Sequence, residues 1–110
     1  MRILIDECVN PRLREAFPEH EVVAAVTTAW RQIRDHRLVD AIQGKFDVLV
    51  TIDGGSEFQH NLTKLSFGIV TVHARRNRMQ YYRPLFPELS AAVAAARPGQ
   101  VIHVGHTGGL

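Results

Sequence analysis

Acidic residues follow strand-like stretches at two places in this sequence. "MRILIDE" runs from an apolar stretch, Arg2 to Ile5, straight into Asp6 and Glu7, and "DVLVTID" carries a second stretch, Asp47 to Ile52, into Asp53. Two carboxylates brought to one rim repel each other, and burying them uncompensated costs several kcal/mol unless they share a cation. A hard divalent ion resolves the repulsion, because Mg²⁺ takes one or two carboxylates and completes its shell with water and substrate phosphate. A third stretch, "GIVTV" (Gly68 to Val72), leads into "HARRNR", which offers Arg75, Arg76 and Arg78 as phosphate-binding forks and Asn77 as a cap for the following helix. Each group also has a structural reading: "DGG" after Ile52 is a strong turn signal, and three arginines suit a solubilising loop.

These residues converge only if the elements carrying them lie side by side. Besides the stretches named, "EVVAAV" (Glu21 to Val26) and "QVIHV" (Gln100 to Val104) are short, apolar and rich in β-branched residues. Near-continuous apolar strands imply a sheet buried on both faces, hence parallel strands joined by helices. Asn10-Pro11 is a cap followed by a first-turn proline, opening a helix that Pro18 closes after Phe17. Asp35 caps a second helix with Leu38, Val39 and Ile42 on one face and Gly44 as its stop. A third helical stretch runs from about Arg78 to Ala96, with Pro84 and Pro87 breaking its start and Pro98-Gly99 ending it. The fold class is α/β with a mainly parallel sheet of four to five strands, in which ligands bind beyond the carboxyl ends of the strands. Asp6 and Asp53 both stand at such ends.

The composition limits the alternatives. At 110 residues, 45% hydrophobic and 22% charged, the chain reads as one domain, residues 1–104, with a frayed tail at 105–110. No apolar run approaches the roughly 20 residues that span a bilayer, and the early acids do not suit a signal peptide, so a cytoplasmic protein without a membrane partner is expected. The single Cys8 excludes an internal disulfide and a cysteine-cluster zinc site; its expected role is a buried or half-buried structural thiol. His20, His36, His103 and His106 have no metal-like spacing, and His73 is expected to be packed rather than catalytic. Packing is likewise the expected role of Trp30, Tyr81 and Tyr82.

Taken together, "MRILIDECVNPRLREAF", "HEVVAAV", Trp30, "GKFDVLVTID", "FQHNL" and "VTVHARRNR" resemble the small PIN-like proteins of prokaryotes, relatives of toxin-antitoxin ribonucleases. The resemblance spans Met1 to about Val104. It implies a three-layer α/β/α PIN-like fold and, by analogy, Mg²⁺- or Mn²⁺-dependent RNA cleavage, with an antitoxin protein as partner and a homodimer as a further assembly. Carried over by position, Asp6 and Asp53 match the family's acids at the first and third strands. Arg75, Arg76 and Arg78 fall where RNA phosphates would lie, and His60 and Asn61 of "QHN" match a polar block facing substrate.

Two positions depart from that pattern. Similar proteins place an acid two residues beyond the cap of the helix after the tryptophan, where this chain has Arg37, and polar residues after the third-strand acid, where it has Gly54-Gly55. Glu7 and Asp40 are the remaining acids that an ion could recruit. Glu7 alternates away from Asp6 along a strand, and Asp40 points away from the stripe of Leu38, Val39 and Ile42, so each also reads as a solvated or salt-bridged acid. Two-metal chemistry needs more carboxylates than this. The expectation is therefore a one-metal or weakened ribonuclease site, and its alternative is a catalytically silent PIN-like module that binds RNA or a protein.

Overall fold

The computed structural model describes residues 1–25, 41–52 and 65–105. Five strands form one sheet: β1 (Arg2–Ile5), β2 (Glu21–Ala24), β3 (Val48–Thr51), β4 (Gly68–His73) and β5 (Val101–Gly105). Their order is β2-β1-β3-β4-β5 and every pairing is parallel, so the α/β class read from the apolar runs holds. The helix α1 (Met79–Tyr82), a 3₁₀ turn at Arg83–Leu85 and the helix α2 (Phe86–Ala95) connect β4 to β5.

Period-two alternation divides the strands between two cores. Ile3, Ile5, Val48, Val50, Val70 and Val72 face one side, where Leu13, Phe17, Tyr82, Leu89 and Val93 cover them. Leu4, Leu49 and Ile69 face the other, against Ile42, Phe46, Leu65 and Phe67. Because both faces are buried, the strands carry almost no polar positions, and each fully buried Leu or Ile contributes about 1.5–3 kcal/mol relative to exposure. The two buried polar residues of the described chain, Thr51 and Thr71, lie at the carboxyl end of that second face.

Asn10 and Pro11 open a helix as expected, with the Asn10 side chain accepting from the Arg12 N–H at 3.0 Å. The helix is 3₁₀ throughout, Pro11–Ala16, and Phe17 leaves it at φ −127° because the residue before Pro18 is excluded from the helical region. Ala41 and Ile42 are helical and Gly44, at φ +75°, stands in the turn that follows; Trp30 and the cap expected at Asp35 lie outside the described residues. Strand β5 runs one residue further than expected, so Gly105 belongs to the sheet and not to a tail. There a Cβ would come within 2.1 Å of the His73 carbonyl oxygen, and φ is +91°, so only glycine brings β5 this close to β4. No described helix is long and apolar enough to cross a membrane.

Candidate functional site at the carboxyl edge

The strand order reverses at β1, which has the next strand in sequence, β2, on one side and β3 on the other. Such a switch point opens a crevice at the carboxyl ends of the two flanking strands. Asp6 occupies it. Its N–H donates to Val50 O at 2.9 Å, extending β1 along β3, and its carbonyl accepts from the Val9 N–H at 3.0 Å, turning the chain away from the sheet.

The Asp6 carboxylate is held on three sides. Oδ1 accepts from the Glu7 N–H at 2.7 Å, and Oδ2 accepts from the Thr51 hydroxyl at 2.9 Å and from the Cys8 thiol at 3.5 Å. Thr51 is fully buried and ends β3, so its hydroxyl fixes the carboxylate across the switch point. Cys8 is exposed, where a buried or half-buried thiol is expected from composition: the turn that starts at Asp6 carries it out of the strand. Partial desolvation, and then the negative charge of Asp6, push its thiol above the usual range, which keeps it protonated and donating. Glu7 is exposed beside it, as the alternation implied.

Asn77 corrects a second expectation. It caps no helix, since Arg78 takes that position at α1 without a side-chain bond. Instead the Asn77 amide donates to the Cys8 carbonyl at 3.0 Å, while its oxygen accepts from the Asn10 N–H at 2.8 Å and from the Tyr82 hydroxyl. One side chain thereby ties the loop after β4 to the loop after β1, across the end of the intervening β3. Arg75, Arg76 and Arg78 are exposed on that tied loop, and none forms an ion pair among the described residues. Tyr82 is buried, as packing predicted, and burial raises its hydroxyl to about 12, with Cys8 contributing less.

Asp53, Asp40, His60, Asn61, Arg37 and Gly54-Gly55 lie outside the described residues. Among the described residues, no three His, Cys, Asp or Glu side chains group as a metal site. The facing groups at β1 and β3 are a carboxylate and a hydroxyl, hard oxygens of the kind that Mg²⁺ and Mn²⁺ take as ligands.

Sequence reasoning missed Thr51, the Asn77 tie and a histidine pair. His73 Nε2 and His103 Nδ1 lie 2.8 Å apart, with rings stacked at 5.0 Å. Thirty residues separate them in the chain. The signal that finds them is strand register: Thr71 pairs with His103 and His73 with Gly105, which sets the two rings diagonally on one face. Comparison with protein-family models, curated proteins and solved structures gives no match, so function is argued from the site itself.

Proposed function

We propose that this chain is a metal-dependent endoribonuclease of PIN-like type, the toxin-like member of a toxin-antitoxin pair, with RNA as substrate and an antitoxin protein as partner. The observation that carries this reading is the meeting of two loops at the switch point. One holds a carboxylate fixed by Thr51 and Glu7, the other holds three exposed arginines, and Asn77 joins them. Asp6, with Asp53 two residues beyond Thr51, would hold Mg²⁺ or Mn²⁺. When bound, the ion would lower the pKa of a water and offset phosphate charge. Arg75, Arg76 and Arg78 would grip the RNA backbone by charge-assisted hydrogen bonds, a sequence-independent attraction that weakens with salt. Thr51 would keep the carboxylate turned into the crevice.

A second reading, a catalytically silent RNA-binding module, is favoured by the engagement of both Asp6 oxygens with donors of the chain's own. A fluorescent single-stranded RNA assay with MgCl₂ or MnCl₂ separates the two. Cleavage that needs the ion and falls about 100-fold or more in Asp6→Asn and in Asp53→Asn supports the nuclease. RNA binding without cleavage, weakened by Arg75→Ala and Arg78→Ala but indifferent to Asp6→Asn, establishes the silent module instead.

A further inference from the structure

The polar end of the second sheet face continues past Asp6. Thr51 pairs in register with Thr71, and Thr71 with His103, so the row Thr51, Thr71, His103 crosses three strands toward the β5 edge. Successive strands are about 4.8 Å apart, which sets His103 roughly 10 Å from Thr51 along the row, too far to share an ion held at Asp6. Thr71 is fully buried and its hydroxyl has no hydrogen-bond partner. A buried unsatisfied hydroxyl costs about 1–3 kcal/mol, so such groups occur where something other than packing is served. Next to it stand the two imidazoles. His73 is half-buried and His103 exposed, and neither ring has another hydrogen bond among the described residues.

We propose that His73 and His103 form a bidentate site for a divalent transition-metal ion of tetragonal preference, Cu²⁺ or Ni²⁺, separate from the Asp6 crevice. Paired imidazole nitrogens favour Cu²⁺ over Ni²⁺ and Zn²⁺. The two nitrogens face each other in their hydrogen bond, and a turn of each ring about its Cβ–Cγ bond would bring both lone pairs onto one ion. The rings ride on adjacent strands, and Gly105 pins β5 against the His73 carbonyl, so the spacing is set by the sheet. Without metal, one imidazole donates a single N–H to the other. To bind a metal through both nitrogens, the donating ring changes tautomer and carries its N–H on its other nitrogen, so both rings stay neutral, and the remaining coordination positions open to solvent at His103. Desolvation, and then His103, keep the His73 pKa below its ordinary 6.5, which leaves the ring neutral at pH 7.

Titration of the full chain with CuCl₂ at about pH 7.5, followed by electron paramagnetic resonance, tests the site. One equivalent should give an axial Cu²⁺ signal with nitrogen hyperfine structure. His73→Ala and His103→Ala should each weaken binding tenfold or more, and His103→Gln, at an exposed position, should do the same with thermal melting unchanged. Asp6→Asn should leave binding intact, NiCl₂ should compete, and ZnCl₂ should bind at least tenfold more weakly than CuCl₂. Affinity should fall as pH drops below about 6.5, because protons and metal compete for the same nitrogens. Binding that survives both alanine variants overturns the proposal. So does binding that is lost in His20→Ala, whose Nδ1 lies 3.5 Å from the terminal amine and could form a site of its own.

Discussion

The two edges of this sheet use polar groups in opposite ways. At the amino edge Arg2 fastens three segments. Its N–H donates to Asp47 Oδ2 at 2.7 Å, its guanidinium donates to Glu21 at 3.0 Å and to the Lys45 carbonyl at 2.7 Å, and it covers the Phe46 ring at 4.9 Å. Among the described residues, no buried side-chain nitrogen or oxygen there lacks a hydrogen bond. At the carboxyl edge one buried hydroxyl has no partner, two imidazoles share one hydrogen bond, and an Asn side chain holds two loops beside a carboxylate. The first arrangement spends its donors and acceptors on register. The second leaves some donors and acceptors unmatched, and it does so on a parallel sheet whose topology opens a crevice at that end.

Substitutions at the two edges should separate these roles, and the largest effect belongs to the amino edge. Gly68 begins β4 where a Cβ would meet the Ala96 Cβ and the Arg97 carbonyl oxygen, each at 2.9 Å. Gly68→Ala should cost about 1–3 kcal/mol in urea unfolding, because backbone must move to admit one methyl group. An unchanged midpoint would mean that the turn after α2 yields freely, and the amino edge would lose its claim to rigidity.

Next in size is an alkaline effect at Tyr82, whose hydroxyl is raised from 10.0 in the unfolded chain to about 12 in the folded one. The folded state binds this proton more tightly, so the stabilisation is complete below pH 10 and is lost as pH rises toward 12. Urea midpoints measured between about pH 9 and 11.5 should fall steeply in the wild type and less steeply in Tyr82→Phe. Equal slopes would place the alkaline transition elsewhere.

The smallest effect is the most telling. Asp6→Asn keeps an oxygen for the Thr51 hydroxyl but turns its amide NH₂ toward the Glu7 N–H, and should cost less than about 1 kcal/mol. Arg2→Ala, which removes an exposed ion pair together with a hydrogen bond and a ring contact, should cost about 1 kcal/mol. If Asp6→Asn proves the more damaging of the two in thermal and urea unfolding, Asp6 is a structural carboxylate and the contrast between the edges fails.

Much of this organisation is legible in the sequence, and the reason is period. All five strands begin within one residue of where their apolar runs do, because a sheet buried on both faces leaves runs such as "RILI" and "DVLVTI" with no competing pattern. Asp6 follows from the same logic, as the first acid after such a run. What escapes is whatever depends on contacts between loops or on register. Asn77 looks like a helix cap because Asn before a helix usually is one, and its two long-range bonds, to Asn10 and Cys8, have no local signature. The approach of His73 to His103 requires knowing that β4 pairs with β5 and with which offset. Cys8 escapes for a similar reason: composition speaks for burial, while the turn at Asp6 decides exposure.

The all-parallel pairing also governs how this molecule comes to exist. No two strands meet through a short hairpin: Leu4 waits for Val23 on one side and for Leu49 on the other, and Val70 for Ile102. The central strand β1 is therefore the earliest segment in the chain and among the last to be enclosed, since its β3 neighbour closes a loop of 45 residues. Closure entropy on that scale precedes any reward from pairing, which places the chain among slow-folding topologies. During that interval "RILI" is an uncovered apolar strand, and the acids that follow it act as gatekeepers against pairing with another chain. Asp6 and Glu7 thus set two negative charges beside an apolar strand while it is still unpaired.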